Sequence, residues 1–427
     1  MKKIAVNISR FLLAAVFIVS GFVKAVDPMG TQYKLEDYAA VLGLSTFLPS
    51  LVAVVLSVVL ASVEFCLGVY MLFAIRRRLT SRLMLLMLCV LTPLTLWLAL
   101  TNPITDCGCF GDAIILTNWQ TFTKNVILLI AAIIVVSWPG QMVRFISHSN
   151  QWIVINYTAL FILAVAGYSL YYLPQFDFRP YHIGASIREG MVIPDDAEQP
   201  QFETTFILEK DGQQQEFTLD NYPDSTWTFV DSRTVQTRQG YVPPIHDFAI
   251  VTTDGDDITE DVLADSSYTM LLVAPHLEDA DDSDLDIINE LYEYSRQHDY
   301  PFYCLTSSTE GGIDHWRDIT GAEYPFCNTD ATTLKTVVRS NPGLVLLKDG
   351  TVIGKWSHND LPVIDESQWQ LPLEKQEIGH IPSDSAPAKV LAIVLWFVLP
   401  LLLLTIADRL WAWSRWLRRK PKSSETP

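Results

Sequence analysis

Residues 83–112, LMLLMLCVLTPLTLWLALTNPITDCGCFGD, join an apolar run to a turn that contains two cysteines. The first eighteen of these residues carry no charge, and about 20 mainly apolar residues are enough for a helix to cross a membrane. Cys107 and Cys109, separated by one glycine, follow directly. The stretch therefore predicts a membrane span that leads into a cysteine turn, and the chemistry of that turn depends on the side of the membrane it faces.

Five further apolar runs have the same character. The first of these runs, residues 4–25, follows Lys2 and Lys3, as the apolar part of a signal peptide would. Because no small-residue cleavage pattern follows it, we interpret it as a retained helix. Together with the opening stretch they predict six spans, at residues 4–25, 49–75, 81–101, 121–139, 152–173 and 388–408.

Charge is unevenly distributed along the chain, whose net charge is −18. Residues 177–384 hold 40 acidic and 12 basic residues, whereas the remainder holds 8 acidic and 18 basic ones. This split predicts an acidic soluble domain attached to a membrane part with basic edges. Because phosphates would be repelled, it argues against nucleic acid as a partner.

Basic residues in short loops indicate the orientation of the spans, because such loops stay in the cytoplasm. In a six-span chain, four clusters fall on one side: Lys2 and Lys3; Arg76, Arg77, Arg78 and Arg82; Arg144; and Arg415, Arg418, Arg419, Lys420 and Lys422. We therefore expect a protein of the bacterial inner membrane with both termini on the cytoplasmic side. The loops at 26–48 and 102–120 and the segment 174–387 would face the periplasm, where disulfides persist.

The cysteine turn has three open interpretations. A disulfide between Cys107 and Cys109 would close a small ring with strain, part of which Gly108 relieves. A strained, exposed disulfide is labile and oxidising, which favours a redox role. One alternative is structural: one or both cysteines pair with Cys304 or Cys327, or they stay reduced. The other is a metal site, for which Asp106 and Asp112 are near but no further His or Cys of the outer loops completes a set.

Three residues within the predicted spans have side chains that are candidates for a functional role. A carboxylate such as Glu64 is costly in a membrane and is often functional, as a proton relay or a quinone contact; otherwise it is a protonated group that bonds a neighbouring helix. Cys66 and Cys89 lie at similar predicted depth, either as a functional pair or as small packing residues.

Several short pieces in order resemble the DoxX-like membrane family, and more closely its MauE branch: Arg10, Ser20-Gly21, Lys24, Asp27-Pro28, Glu64, Gly68 and Cys107-Gly108-Cys109-Phe110-Gly111. The resemblance covers residues 5–140 and implies a four-helix membrane bundle. MauE members are associated with methylamine utilisation, and the resemblance implies a role in supporting disulfide formation in a partner enzyme. This chain differs from a plain MauE protein by two added spans and a large outer domain.

The acidic segment begins with a pattern that predicts a hairpin, in which alternating apolar residues flank Asp211-Gly212. A short strand, STWTFVDSRT, is predicted to follow it. From residue 244 strand and helix patterns alternate. We predict strand–turn–strand for DFAIVTTDGDDIT, strands for YTMLLVAP and PFYCLTSS, helices for DSDLDIINELYEYSRQ (capped by Asp284), GIDHWRDITG and DATTLKTVVRS, and a hairpin for GLVLLKDGTVIGKWS, turned at Asp349-Gly350.

This order resembles a thioredoxin-like domain over residues 244–362. The marks are DFAIVTTDG, YPFC followed by Asp330, and Pro342 where the family places a cis-proline. The CxxC expected after LLVAP is replaced by His276-Leu277-Glu278-Asp279-Ala280, so the low-pKa thiolate of such domains is missing. Cys304 and Cys327 remain, as a structural disulfide, as two buried thiols, or as a second redox pair.

The sequence predicts a multi-domain membrane protein with an all-α bundle and an α/β outer domain. The expected division is a DoxX/MauE-like domain at 1–140, a fifth span at 141–176, a β-rich lead-in at 177–243, a degenerate thioredoxin-like domain at 244–386, and a sixth span with a basic tail at 387–427. The favoured function is thiol–disulfide redox chemistry at the outer face, with a periplasmic protein or dithiol carrier as partner and a quinone as a further acceptor. The alternative is a membrane scaffold whose outer domain binds a partner protein.

Overall fold

The computed structural model describes residues 1–104, 108–199, 201–210, 213–218, 221–223, 226–238, 240–365, 367–382 and 386–419. Within these ranges, six helices are long and apolar enough to cross a membrane, which confirms the six predicted spans. The protein is thus a multi-pass membrane protein with an α/β domain between its fifth and sixth spans. The first helices are α1 (Lys2–Val26), α2 (Pro28–Val41), α3 (Ser50–Phe73), α4 (Arg77–Thr101), α5 (Asn118–Ser137) and α6 (Gln151–Tyr171).

Helix α2 lies in a segment that we expected to be a loop. Its apolar residues do not repeat at helical spacing, so no periodicity predicts it. It forms because its start is well capped: the Asp27 carboxylate accepts a hydrogen bond from the Gly30 amide at 2.9 Å, and Pro28 occupies the first helical turn. Helix α2 then packs along the first part of α3.

Helices α1 and α3 approach each other closely, and two glycines allow it. A Cβ atom at Gly21 would lie 2.4 Å from the backbone nitrogen of Phe65, and one at Gly68 would lie 2.7 Å from that of Ile18. Both values are below any real contact, so only glycine fits at these crossing points. Small residues let membrane helices approach each other, and dispersion and polar contacts can then replace the missing hydrophobic driving force.

The α/β region between α6 and the last span is called the outer domain here. Its helices are α7 (Ile187–Met191), α8 (Thr259–Ala264), α9 (Leu285–Gln297), α10 (Glu310–Thr320) and α11 (Ala331–Val337). Its strands are β1 (Gln201–Lys210), β2 (Gln213–Thr218), β3 (Thr228–Arg238), β4 (Val251–Thr252), β5 (Tyr268–Val273), β6 (Phe302–Thr306), β7 (Phe326–Asn328), β8 (Gly343–Lys348) and β9 (Thr351–Ser357).

The strands form two sheets. The smaller sheet has the order β2-β1-β3 and is antiparallel, so the predicted first hairpin is confirmed, although its turn at Asp211-Gly212 lies outside the described residues. The larger sheet has the order β4-β7-β6-β5-β8-β9. Strands β5, β6 and β7 are parallel, whereas β4, β8 and β9 run antiparallel to their neighbours.

The larger sheet is buried on both faces, as its continuous apolar strands predict. In β5, Met270 and Leu272 belong to a cluster with Trp316 of α10, whereas Leu271 and Val273 belong to a cluster on the opposite face. Helices α9 and α10 cover the first face, and α8 and α11 cover the second.

Most of the predicted local elements of the outer domain are present. The hairpin at Asp349-Gly350 turns with positive φ at both residues, 49° and 65°, as a type I′ turn requires. The strand–turn–strand prediction for residues 247–259 is confirmed in a shortened form: β4 has two residues, and Val251 forms an antiparallel bridge with Asp257 before α8 begins at Thr259. Asp284 precedes α9 as predicted, but its side chain makes no capping hydrogen bond.

The sixth span, α12 (Ala386–Arg419), packs against the bundle through aromatic rings. The ring centroid of Phe397 lies 4.5 Å from the ring centroid of Phe161 on α6 and 5.1 Å from that of Phe65 on α3. At its far end, the Asp408 carboxylate accepts hydrogen bonds from Ser147 and Asn150 in the loop before α6. The last span is therefore tied to the bundle at two depths.

Candidate functional site

A buried ion pair joins α1 and α3. Lys24 Nζ lies 2.7 Å from Glu64 Oε1 and 2.8 Å from Glu64 Oε2, and both side chains are less than a tenth exposed. Glu64 thus has a cationic partner, where the sequence had left a proton relay, a quinone contact or a protonated carboxyl open. In the sequence, Lys24 is marked only by the family resemblance. The better signal was physical, because an acid and a base in neighbouring spans lower their burial cost by pairing.

Ser20 connects this ion pair to the cysteine turn. Its hydroxyl lies 2.7 Å from Glu64 Oε2 and 2.7 Å from the carbonyl oxygen of Cys109, while Lys24 Nζ donates to it at 3.3 Å. Ser20 is buried, with 8% of its surface exposed. The turn between α4 and α5 therefore rests on the polar centre of the bundle.

The cysteine turn is held at both ends. Asn118, at the start of α5, donates from Nδ2 to the side chain of Asn102 and to the carbonyl of Ile104, each at 2.8 Å. Helix α5 itself starts with a capping box formed by Thr117 and Gln120. These contacts fix the two helix ends that the turn must connect.

Within the turn, Cys107 lies outside the described residues, and Cys109 is half-buried. Gly108 has a φ of +63°, a conformation that favours glycine, and a Cβ atom there would lie 3.1 Å from Lys34 of α2. Beside Cys109 is a small cleft of about 10 Å³, lined by Gly108, Cys109, Phe110, Gly111, Ile114, Ile115, Leu116 and Thr121. Such a volume holds about one water molecule.

Arg339 of the outer domain reaches the same end of the bundle. Its Nη2 lies 2.9 Å from Asp27 Oδ2 and 3.1 Å from Asp112 Oδ2, on either side of the cysteine turn in sequence. Burial raises the pKa of Asp27, but Arg339 and Arg179 outweigh it, so that this pKa lies below its ordinary value. Asp112, which had been weighed as a metal ligand, is thus an ion-pair partner.

A second buried ionic group ties the outer domain to the segment after α6. The Asp177 carboxylate binds Arg179 Nε at 2.6 Å and Lys355 Nζ at 2.7 Å, and Arg179 also donates to the Thr336 carbonyl at 2.9 Å. Burial, reinforced by Arg179, lowers the pKa of Lys355 to about 7 although Asp177 acts in the opposite direction. The group anchors β9 and α11 near the membrane part.

The loop after β5 carries no thiol, as the sequence predicts. His276 is half-buried there, and its carbonyl accepts a hydrogen bond from Asn341 Nδ2 at 2.8 Å. The bond between Asn341 and Pro342 is cis. The proline loop and the β5 loop are thus joined two residues from Arg339. The contacts of Arg339 with Asp27 and Asp112 are called the Arg339 clamp below.

The disulfide considered for Cys304 and Cys327 is not formed, and both are free, buried thiols. Cys304 pairs with Phe326 in register while Leu305 pairs with Cys327, so the two side chains point to opposite faces of the sheet. Burial raises the pKa of Cys304, and it raises that of Cys327 to about 11. Neither thiol has the low pKa that exchange chemistry needs.

The two cysteines of the spans are not paired with each other either. Cys66 and Cys89 are both free; Cys66 packs beside the cluster around Phe65, while Cys89 is exposed on α4. The position of Cys66 fits a small packing residue.

Comparison with known proteins supports part of this description. Residues 2–137, about a third of the chain, match the family model described as methylamine utilisation protein MauE, so the predicted resemblance to MauE is confirmed for that stretch. Residues 202–239, which include most of the β2-β1-β3 sheet, match a domain of unknown function, DUF8463. No curated protein matches the chain.

One solved structure is similar in part. It is the solution structure of a candidate protein disulfide isomerase from Bacteroides thetaiotaomicron, which is 16% identical. The match covers 27% of this chain and 76% of that one, with a TM-score of 0.23.

Proposed function

We propose that this protein is a membrane-bound thiol–disulfide redox protein that acts at the outer face of a bacterial inner membrane. Cys107 and Cys109 are its redox pair, and a periplasmic protein or a small dithiol carrier is its partner. The observation that carries the proposal is the contact of the Cys109 carbonyl with Ser20, which also contacts the buried Glu64. Ionisable groups inside a membrane are costly, and they mark functional sites by default.

The proposed reaction is an exchange that balances in itself. A disulfide between Cys107 and Cys109 accepts two electrons and two protons from a partner dithiol, which becomes a disulfide while the turn becomes two thiols. A second disulfide carrier reoxidises the turn by the same exchange. We favour this carrier over a quinone at Glu64, because Lys24 and Ser20 already bind the oxygens of that carboxylate.

The outer domain is proposed to be a degenerate thioredoxin-like domain that binds the partner. Its sheet order, with three parallel strands and an antiparallel hairpin, supports this interpretation. Its proline loop at Asn341-Pro342 begins two residues after Arg339, which contacts Asp112 beside the cysteine turn, so we propose the surface around this loop as the binding surface. We also propose the domain division expected from the sequence, and an orientation in which both termini lie in the cytoplasm and the outer domain lies in the periplasm.

Trapping of mixed disulfides tests the redox role. In membranes that contain the full-length Cys109→Ser variant, the Cys107 thiolate attacks a disulfide of the partner and displaces one partner thiolate, and no second thiol of the turn remains to release the mixed disulfide. We expect partner proteins to be captured there after acid quenching and alkylation, and released by reductant. Mass spectrometry of the adducts identifies both the partner and the cysteine that holds it.

Two variants serve as controls for trapping. Cys89→Ser removes an exposed thiol of α4 and is expected to capture nothing. The double variant at Cys107 and Cys109 is expected to lose every adduct. If Cys109→Ser yields no adduct although it accumulates in the membrane, the redox proposal is wrong.

The missing CxxC favours a second candidate, a non-enzymatic scaffold whose outer domain binds a partner protein. A scaffold would keep its partner when both cysteines of the turn are replaced. Crosslinking with an amine-reactive reagent in the double variant therefore separates the two functions: an unchanged partner without any mixed disulfide supports the scaffold.

A further inference from the structure

Ser20 has one proton and two acceptors. Its hydroxyl lies 2.7 Å from Glu64 Oε2 and 2.7 Å from the Cys109 carbonyl, yet a hydroxyl donates a single hydrogen bond at a time. The two bonds are therefore exclusive. Because the three groups are buried or half-buried, bulk water does not compete freely for this proton.

The charge of Glu64 decides between the two bonds. An ionised carboxylate is the stronger acceptor and draws the Ser20 proton towards α3. A neutral group at position 64 releases that proton to the Cys109 carbonyl. When the Ser20 hydroxyl rotates towards Cys109, Glu64 Oε2 keeps its hydrogen bond from Lys24 at 2.8 Å. The rotation therefore leaves neither carboxylate oxygen without a hydrogen bond.

The groups around Glu64 determine what else can influence which acceptor the Ser20 hydroxyl bonds. Lys24 is the charged group that contacts it among the described residues, and this same amine donates to Ser20 at 3.3 Å. The neighbouring Phe65 meets aromatic rings of α6 and α12 rather than charges. Ser20 therefore contacts both the ion pair and the Cys109 carbonyl.

We propose that Ser20 is a positioning residue through which the Lys24–Glu64 ion pair controls the backbone of the cysteine turn. While the pair is charged, Ser20 favours Glu64 and the Cys109 backbone is held less tightly. When a proton of Lys24 has passed to Glu64 and the pair is neutral, Ser20 binds the Cys109 carbonyl and that backbone is held more tightly. The proposal deepens the redox function proposed above, since it describes how the bundle would regulate that site.

The rate at which Cys109 is alkylated tests this coupling. The full-length reduced protein in detergent is treated with iodoacetamide at a fixed pH, and the modified peptide is quantified by mass spectrometry. We expect Ser20→Ala to accelerate the reaction by about twofold in the native background. In a Lys24→Met/Glu64→Gln background, which removes both charges together, we expect the same change to accelerate it about fivefold, the usual worth of one hydrogen bond.

Matched variants separate coupling from loss of structure. Ser57 is also a buried serine of the bundle, but it donates to the Val54 carbonyl of its own helix, so Ser57→Ala is expected to change nothing in either background. Ser20→Thr retains the hydroxyl and is expected to restore native rates. Equal effects of Ser20→Ala in both backgrounds would overturn the proposal.

The double variant is not essential to the test. If it fails to accumulate, Ser20→Ala is compared with Ser20→Thr and Ser57→Ala in the native background, and identical rates in all three overturn the proposal. Alkylation needs no exchange partner. Failure of this coupling can therefore be distinguished from failure of the redox function, which is read from mixed disulfides.

Discussion

Arg339 Nη2 lies 2.9 Å from Asp27 Oδ2, and this contact joins the outer domain to the end of α1 across 312 residues of sequence. Asp27 also caps α2, and Asp112, the second partner of Arg339, follows the cysteine turn. One buried guanidinium thus connects three segments that surround the candidate site. Its position makes the docking of the outer domain a property that a single substitution can test.

Replacement of Arg339 with Met is expected to loosen the outer domain from the bundle. The change leaves the Asp27 carboxylate buried without its main partner, and breaking a buried ion pair in this way costs about 3 kcal/mol. Hydrogen exchange of the full-length protein, measured by mass spectrometry, should become faster in α2 and in residues 108–117. Arg188→Met is the matched control, because its ion pair with Glu260 is more than half exposed on both sides. Similar exchange in the two variants would contradict the clamp.

Lys355 should make the stability of the outer domain depend on pH. Its pKa is lowered to about 7 in the folded protein, first by burial, whereas the unfolded chain has a value of about 10.4. Between these values the unfolded state binds more protons, so the free energy of unfolding rises with pH, by at most about 1.4 kcal/mol per pH unit. Below pH 7 both states are protonated, and this residue contributes no slope.

Hydrogen exchange of β8 and β9 at pH 7, 8 and 9, corrected for the intrinsic exchange rate, measures this slope. Lys355→Met removes the titrating group and is expected to flatten it. Lys348→Met, on the same hairpin but about a third exposed, should leave it unchanged. A slope that persists in Lys355→Met would assign the pH dependence to another group.

Apolar runs and turn residues predicted much of this fold, whereas the contacts between distant segments could not be predicted. The six spans and the Asp349-Gly350 hairpin depend on local pattern, and the structure contains them. Helix α2 was missed because its start depends on a cap rather than on periodicity. The Arg339 clamp was missed because no local pattern links residues so far apart in the chain.

The candidate site was predicted in part for the same reason. The cysteine turn and Glu64 are conspicuous in the sequence because thiols and intramembrane acids are rare. The pairing of Glu64 with Lys24 depends on the crossing of α1 and α3, which Gly21 and Gly68 determine. The separation of Cys304 from Cys327 depends on the register of β6 and β7, since a shift by one residue moves a side chain to the other face.

Cys304 and Cys327 are expected to be unreactive in the folded protein. With a pKa of about 11, Cys327 is a thiolate in only about one molecule in a thousand at pH 8, and burial raises the pKa of Cys304 as well. Alkylation followed by peptide mapping should label them in guanidinium chloride but not under native conditions. Mild oxidation with diamide should also fail to join them. A Cys304–Cys327 crosslink formed in the native protein would contradict the register of the two strands.

Gly21 is expected to be indispensable to the bundle. A Cβ atom there would lie 2.4 Å from the backbone nitrogen of Phe65, a clash that no side-chain rotation relieves. Gly21→Ala must push α1 and α3 apart, at a cost of about 1–3 kcal/mol. Gly167→Ala in α6 is the matched control, because a Cβ atom at that position meets no atom within 4 Å. Thermal aggregation of the two variants in the same detergent should separate them.

The Gly21 substitution should also reach the cysteine turn. Because Ser20 and Lys24 share α1 with Gly21, a displacement of this helix moves both groups relative to Glu64. We expect Cys109 to be alkylated faster in Gly21→Ala than in Gly167→Ala at the same pH and temperature, well below the aggregation temperature of either variant. Equal rates, together with a lower aggregation temperature for Gly21→Ala, would mean that the helix crossing stabilises the bundle without positioning the turn.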